Sequence, residues 1–304
     1  MSEATTYHVP VMLNECIEGL NIKPNGIYVD VTFGGGGHSA AIVKHLTTGK
    51  LYGFDQDDDA SKNAQSFDKQ RFTLVEANFR HLKRYLKLHG VTRIDGLLAD
   101  LGVSSHQIDA PERGFSTRFD GPLDMRMNQN DELTAAKVIN TYSEEKLHRI
   151  FGIYGEVKNA KTLAALVFKS RLQNPIETIE QFKRVTQPVA PRGKENKYYA
   201  QVFQALRIEV NQELEALQEM IVQATEMLKP QGRLVVMAYH SLEDRLVKNY
   251  IAKGKFFGEV EKDLYGNEQK PLQSLLRKPI EASEEEIEQN RRARSAKLRI
   301  AEKL

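Results

Sequence analysis

The stretch YVDVTFGGGGHSAAIVKHL, residues 28–46, decides the fold class of this chain. An alternating apolar segment leads into four consecutive glycines, Gly34 to Gly37, and then into a helical pattern. A bare turn between a strand and a helix lets the backbone approach a ligand closely, as in α/β proteins that bind nucleotides or adenosine derivatives. The stretch therefore predicts the first strand and helix of an α/β sheet, with a ligand held at the turn between them.

The same alternation continues along the chain. Apolar, β-branched runs predict strands at 27–33, 50–55, 71–78 and 94–101, with helices near 38–47, 58–66 and 79–89 between them. After a long interruption, an amphipathic pattern over 214–228 ends at KPQG (229–232), and RLVVMAYH (233–240) predicts another strand. Strands that alternate with helices form parallel sheets, so we expect one parallel sheet that resumes after the interruption.

The interruption, residues 111–205, has a helical character and includes a capping box from Thr178 to Gln181. It contains 15 Lys and Arg against 11 Asp and Glu, a net charge of +4, whereas the whole chain has a net charge of +2. We expect an inserted helical subdomain with a mild preference for an anionic partner. The tail EASEEEIEQN followed by RRARSAKLRIAEKL allows a solvated helix or a phosphate-binding arm. The segments LLRKPIEA and AKLRIAE could instead form a final strand pair.

Composition excludes several classes of protein. The chain has 304 residues, of which 40% are hydrophobic and 28% charged, enough for one large domain with an insertion. Its single cysteine, Cys16, cannot form an internal disulfide, and no apolar run reaches the roughly 18 residues of a membrane span. The polar N-terminus does not resemble a signal peptide, so we expect a cytoplasmic protein.

The glycine loop excludes a nucleoside triphosphate, because no lysine follows it as a Walker loop requires. A dinucleotide fingerprint fits at Gly35, Gly37 and Ala40, and Asp55 ends the next strand 18 residues beyond Gly37. S-adenosylmethionine fits equally well, because its ribose hydroxyls also need a carboxylate. Asp30 favours this donor, since it would repel a pyrophosphate and attract an amino group, although it could also only orient the loop.

The fourth predicted strand ends in LLADLGVSSHQID, residues 97–109, and ligands collect at such strand ends. An enzyme that methylates an aromatic amine needs an acceptor for its N–H groups, and either Asp100 or Ser104 could serve. Both could instead only cap the turn.

In YHSLEDRLVK (239–248), Ser241 and Asp244 have capping-box spacing and no nucleophile elbow is present, so we expect no hydrolase triad. The scattered histidines predict no zinc site.

Several stretches together resemble the bacterial cytidine-N4 methyltransferases of small-subunit (16S) ribosomal RNA, the methyltransferase H family. They are HVPVMLNE (8–15), TFGGGGHS (32–39), LLADLGVSSHQID (97–109), ERGFS (112–116), DGPLDMRM (120–127), FQALRIEVN (203–211), HSLEDR (240–245) and RARSAKLR (292–299). The resemblance implies a Rossmann-like class I methyltransferase domain at 1–110 and 206–304. It also implies a helical insertion at 111–205 for RNA recognition and S-adenosylmethionine as the methyl donor.

The resemblance also implies the site residues. The donor would contact Gly36, Gly37, His38, Asp55, Phe79, Asp100 and Gln107, with Asp100 also orienting the amine and no metal. The partner would be small-subunit ribosomal RNA or the assembled subunit. From the residues themselves, Arg192, Lys194 and Lys197 offer phosphate contacts, and Tyr198 and Tyr199 offer stacking faces. Two alternatives remain open: an NAD-dependent Rossmann dehydrogenase and a ribosome-assembly factor with a vestigial cofactor site.

Overall fold

The computed structural model describes residues 10–304, apart from the side chain of Ser105. The N-terminal residues on which the signal-peptide prediction rests lie outside this range, as do the first two residues of HVPVMLNE. The chain divides into two compact units. The sheet unit comprises the described residues up to Gly102 together with Leu214–Leu304, and the helical unit comprises Val103–Glu213.

The sheet unit contains seven strands in the order β3-β2-β1-β4-β5-β7-β6. Neighbours among β1 to β5 pair in parallel, whereas β7 is antiparallel to both β5 and β6. The strands are β1 (Ile27–Asp30), β2 (Lys50–Asp55), β3 (Phe72–Glu76), β4 (Ile94–Asp100), β5 (Leu228–Ala238), β6 (Leu272–Ser274) and β7 (Lys297–Lys303). The expected fold class, a Rossmann-like α/β methyltransferase sheet with an inserted helical subdomain, is confirmed.

Thirteen α-helices accompany these strands within residues 10–304. They are α1 (Leu13–Leu20), α2 (Gly37–Lys44), α3 (Ala60–Ala64), α4 (Leu82–Leu88), α5 (Ser105–Asp109), α6 (Ala135–Thr141), α7 (Glu144–Ile153), α8 (Ala160–Arg171), α9 (Ile179–Thr186), α10 (Glu195–Asn211), α11 (Glu213–Met227), α12 (Ser241–Lys253) and α13 (Glu284–Gln289). Helices α5 to α10 belong to the helical unit, and no helix of the described part of the chain is long and apolar enough to cross a membrane.

The sheet is held by side chains that are buried along nearly the whole length of its central strands. Tyr28, Phe54 and Leu97 are among its largest fully buried side chains. The predicted first strand is too long at its end, because β1 stops at Asp30, whose carboxylate then binds the following loop. The helix that was predicted to end at KPQG (229–232) ends earlier, because α11 stops at Met227 and β5 starts at Leu228.

The end of the chain completes the sheet. AKLRIAE forms β7, as the strand alternative predicts, and β7 pairs with β5 on one side and with Leu272–Ser274 on the other. The predicted LLRKPIEA segment meets β7 at only one bridge, between Ile280 and Leu298. The acidic stretch before β7 forms the short helix α13.

The helical unit has its own apolar core, in which Phe151 and Phe182 are fully buried. The capping box predicted from Thr178 to Gln181 is present at the start of α9. Tyr198 and Tyr199 are only 4% and 8% exposed, so their expected role as stacking faces is wrong. They belong to the core because they lie on the buried face of α10.

Candidate active site

The glycine loop lies at the carboxyl end of β1 and leads into α2. Gly36 has φ +77°, a left-handed conformation that glycine adopts without strain, and its N–H donates to the Phe33 carbonyl at 2.7 Å. At Gly37 a β-carbon would lie 2.3 Å from Pro10 Cγ. Gly35, by contrast, has nothing within 4 Å of such an atom. Backbone geometry therefore favours glycine at position 36, and packing against Pro10 requires it at position 37. Gly35, the first glycine of the dinucleotide fingerprint, has neither constraint.

Asp30 holds this loop in place. Its carboxylate accepts hydrogen bonds from the Thr32 N–H at 3.1 Å, from the Thr32 hydroxyl at 3.3 Å and from the Ser39 hydroxyl at 2.7 Å. Because the Asp30 carboxylate is buried and already has three donors, its orienting role is the one that the structure supports.

Asp55 ends β2 and faces the same loop. One carboxylate oxygen accepts from the Gly34 N–H at 2.7 Å and the other from the Asp57 N–H at 2.9 Å. Burial raises the pKa of the Asp55 carboxyl from 3.8 to about 6, and the two backbone donors oppose that shift. Each oxygen keeps a second lone pair, so the carboxylate can still accept hydrogen bonds from a vicinal diol such as a ribose.

Phe79 follows the end of β3 in a short 3-10 turn, Phe79–His81. Asn78 caps this turn by accepting the Arg80 N–H at 2.9 Å, and its amide donates to Gln56 Oε1 at 2.8 Å. These bonds tie the ends of β2 and β3 together and leave Phe79 partly exposed. Its ring is available as an apolar contact at the end of β3.

Asp100 ends β4 and is the most heavily engaged of the candidate residues. Its N–H donates to the Thr32 hydroxyl at 2.7 Å, and its Oδ1 accepts the Tyr239 hydroxyl at 2.8 Å. The carboxylate is 24% exposed. Burial raises its pKa from 3.8 to about 6, whereas His38 and the Tyr239 hydroxyl lower it. Asp100 therefore does not merely cap a turn, and its second oxygen can accept a proton near neutral pH.

His38 connects the glycine loop to Asp100. Its ring is buried in α2, with Nε2 3.1 Å from the Val11 carbonyl and Nδ1 3.8 Å from Asp100 Oδ2. A carbonyl can only accept, so Nε2 carries a hydrogen and Nδ1 faces Asp100. The resemblance alone suggested His38, and the structure places it among the other candidates.

Gln107 is the one predicted site residue that lies in the helical unit. Its side chain accepts the Ser104 N–H at 3.1 Å, and the Ser104 hydroxyl accepts the Gln107 N–H at 3.2 Å, which is a capping box at the start of α5. Ser104 therefore has the capping role that was the alternative to amine binding. The other six predicted residues all belong to the sheet unit.

Tyr239 and Thr32 form hydrogen bonds with Asp100, and the sequence analysis did not identify either as a candidate. Tyr239 follows β5, which pairs in parallel with β4, so its hydroxyl reaches Asp100 at the adjacent strand end. The predicted strand 233–240 already placed Tyr239 at a carboxyl end, but the pairing of β5 with β4 was needed to connect Tyr239 with Asp100.

The predicted capping box of α12 is wrong by one residue. His240 and Glu243, not Ser241 and Asp244, form it.

The hydroxyl of Tyr239 is expected to set the ionisation of Asp100. In Tyr239→Phe the ionised carboxylate loses a hydrogen-bond donor, so we expect the pKa of Asp100 to rise by roughly one unit. A ¹³C NMR titration of the carboxyl carbon measures this. Tyr85→Phe, on the distant helix α4, is the control and should leave the pKa of Asp100 unchanged. An unaltered titration in Tyr239→Phe would contradict the assignment.

The chain is similar to known proteins over its whole length. The sequence model of the MraW methylase family matches residues 5–304. Relatives called ribosomal RNA small subunit methyltransferase H include those of Cytophaga hutchinsonii, 62% identical over 98% of this chain and 99% of the relative, and of Christiangramia forsetii, 57% identical over 98% of both. That of Phocaeicola vulgatus is 56% identical over 100% of both chains. With end-to-end identity at this level, and with a family match that spans both units, the chain belongs to the MraW methylase family.

Proposed function

We propose that this chain transfers a methyl group from S-adenosylmethionine to the N4 amine of a cytidine in small-subunit (16S) ribosomal RNA. Family membership and full-length relatives called ribosomal RNA small subunit methyltransferase H support the substrate class. The observation that carries the chemistry is the placement of the glycine loop after β1 and of Asp100 after β4. These two strands are neighbours where the strand order reverses, the position at which open α/β sheets bind ligands.

The residues of the sheet unit fit this donor. The Asp55 carboxylate would accept the ribose hydroxyls, Phe79 would contact the adenine, and the glycine loop would present its backbone to the ligand. When bound, S-adenosylmethionine supplies an electrophilic methyl group on a positively charged sulfur. His38 and Asp100 flank the position where this group would lie.

Asp100 is the residue that acts on the acceptor. Its Oδ1 is held by the Tyr239 hydroxyl, which leaves Oδ2 to accept a hydrogen bond from the cytidine N4 amine. That bond orients the amine, whose lone pair is otherwise delocalised into the ring. Methyl transfer would form the N4–C bond and break the S–C bond of the donor, which leaves as a neutral thioether. Oδ2 would accept the proton that N4 loses, and a carboxyl with a pKa of about 6 can later release it to water.

The partners and compartment follow as parts of this proposal. Residues 1–110 and 206–304 carry out methyl transfer, and residues 111–205 recognise RNA, either free or in the assembled small subunit. The enzyme acts in the cytoplasm, where ribosomal subunits mature. The proposal also includes a contact between Gln107 and the donor. Membership in a methylase family decides against the NAD-dependent dehydrogenase.

Incubation with small subunits that lack the modification tests the function. Mass spectrometry of the digested RNA should detect N4-methylcytidine only when the protein and S-adenosylmethionine are both present. A parallel reaction on naked ribosomal RNA identifies which form is the substrate. Donor binding without any methylcytidine on either substrate would favour the alternative of an assembly factor with a vestigial site.

Donor binding should depend on pH. Asp55 and Asp100 both have pKa values raised to about 6, and their ionised forms are the ones that attract a cationic donor. As pH falls through 6 the carboxylates are neutralised, so we expect the affinity for S-adenosylmethionine to fall by about tenfold per pH unit or more. Calorimetry between pH 7.5 and 5 measures this, with circular dichroism to confirm that the protein stays folded. An affinity that is flat across this range would contradict the proposed contacts.

A further inference from the structure

Five exposed cations lie at the start of two helices of the helical unit. Lys158 and Lys161 flank the beginning of α8, and Arg192, Lys194 and Lys197 flank the beginning of α10. We call these five residues the α8–α10 basic surface. Among the residues that the structure describes, none of the five forms an ion pair, unlike nearby Arg184, which pairs with Glu180 at 3.3 Å.

Hydrogen bonds bring the two helix starts together. Asn159, the residue before α8, donates from its side chain to the Val189 carbonyl at 2.8 Å, in the segment that leads into α10. Gln201 of α10 donates to the Glu156 carbonyl at 3.2 Å, in the turn before α8. Since these bonds lie within one compact unit, the five cations share one region of its surface.

The charges at this surface have the unfavourable sign for helix starts. The positive end of a helix dipole favours acidic residues in the first turn, and lysines there cost stability. The first turn of α8 has no acidic residue, and that of α10 has only Glu195, whose side chain accepts the Gly193 N–H at 2.9 Å. Neither helix has a side-chain cap. Helix dipoles and unpaired cations therefore add to one positive field, which complements an anion.

The chemistry of the surface identifies the anion. Tyr198 and Tyr199 at the start of α10 are buried, so neither offers a ring face on which a base could stack. Exposed lysines and arginines without aromatic partners contact phosphates and carry no sequence information. A chain of phosphates spaced along a backbone matches several separate cations better than a single small anion does.

We propose that the α8–α10 basic surface binds the phosphate backbone of the ribosomal RNA substrate and thereby holds the substrate on the helical unit. The inference rests on the proposed function, because it takes ribosomal RNA as the substrate. The contacts are independent of sequence, so they contribute affinity and orientation, while the base is selected elsewhere.

The double variant Lys161→Gln/Lys197→Gln tests this proposal. We expect its affinity for an in vitro transcript of the decoding region, measured by fluorescence anisotropy, to fall roughly 10- to 50-fold at low salt. The slope of log Kd against log KCl should decrease by about 2, one for each phosphate that the variant no longer neutralises. Because both lysines oppose a helix dipole, Tm should stay the same or rise, which separates a defect in binding from a defect in folding.

The matched control is Lys137→Gln/Lys169→Gln. Both lysines are exposed and unpaired within the described part of the chain, and Lys169 lies in the last turn of α8, at the opposite end of the helix from Lys161. An unchanged affinity and salt slope in the test variant would overturn the proposal, as would an equal loss in the control. Methylcytidine formation by the unaltered protein is measured separately, so failure of the proposed function is distinguishable from failure of this surface.

Discussion

Replacing Asp100 with asparagine is expected to reduce methyl transfer by about 100-fold or more, because the variant loses the carboxylate that we propose accepts the amine proton. The amide keeps the shape of the carboxylate and can still accept the Tyr239 hydroxyl, so the site should remain assembled. Single-turnover assays on small subunits that lack the modification measure the chemical step. Near-normal turnover would remove Asp100 from the mechanism.

The same substitution should stabilise the protein in the absence of ligand. The folded-state pKa of Asp100 is raised from 3.8 to about 6, so its contribution to folding stability is fully present below pH 3.8 and is lost as pH rises through 6. Asparagine does not ionise and avoids that loss. At pH 7.5 the free energy of unfolding of Asp100→Asn should therefore exceed that of the unaltered protein by about 1–3 kcal/mol. Denaturant unfolding monitored by circular dichroism measures the difference.

Asp244→Asn is the matched control for this change in stability. Asp244 forms a two-bond pair with Arg299 at 2.6 and 3.1 Å, and both side chains are largely buried. Removing its charge leaves the Arg299 guanidinium without a full partner, so this variant should lose about 1–3 kcal/mol. If Asp100→Asn stabilises the protein and Asp244→Asn destabilises it, the ionised Asp100 carboxylate costs folding stability. Its environment would then serve the reaction and not the stability of the fold.

Replacing Asp55 with alanine is expected to weaken binding of S-adenosylmethionine by about 100-fold, because two charge-assisted hydrogen bonds to the ribose are removed. The Gly34 N–H also loses its acceptor, so the glycine loop should become less ordered. Isothermal titration calorimetry measures the affinity, and an Asp55→Asn variant, which keeps an acceptor for Gly34, should lose less.

Asp58→Ala is the control for Asp55→Ala. Asp58 lies in the same turn after β2 but is exposed, and the wild-type affinity should persist in this variant. Unchanged donor affinity in Asp55→Ala would contradict the ribose assignment. A loss of the same size in both variants would show that the turn, and not the Asp55 carboxylate, supports the donor.

Local pattern was enough to predict much of the fold and part of the site. The alternation of strand and helix patterns predicted β1 to β5, and the strand-end positions of Asp55 and Asp100 indicated the edge of the sheet at which we propose that the donor binds. Physical reasoning from the residues did not reach His38, which entered through resemblance. Its ring is oriented by the Val11 carbonyl, 27 residues away in sequence, which no local pattern reveals.

Other expectations failed because they depend on which face of an element becomes buried. Tyr198 and Tyr199 looked suited to stacking on bases, yet α10 turns both towards the core of the helical unit. The capping box of α12 moved from Ser241 to His240, since β5 ends at Ala238 and the helix begins earlier than the serine suggests. Residue spacing alone identifies several possible cap residues or exposed aromatic residues. Which of them takes that role depends on which face of the helix is buried by packing.

By itself the sequence determined the order of strands and helices, the bare glycine turn and the acidic residues at strand ends, because these depend on periodicities of two and 3.6 residues and on the conformational freedom of glycine. The position of β5 beside β4, which brings the Tyr239 hydroxyl to 2.8 Å from Asp100, follows from tertiary packing. Tertiary packing also decided that two helix starts of the helical unit combine five cations that form no ion pair within the described residues. Both outcomes depend on contacts between residues far apart in the chain, where the order of strands and the packing of helices, not local propensity, set the distances.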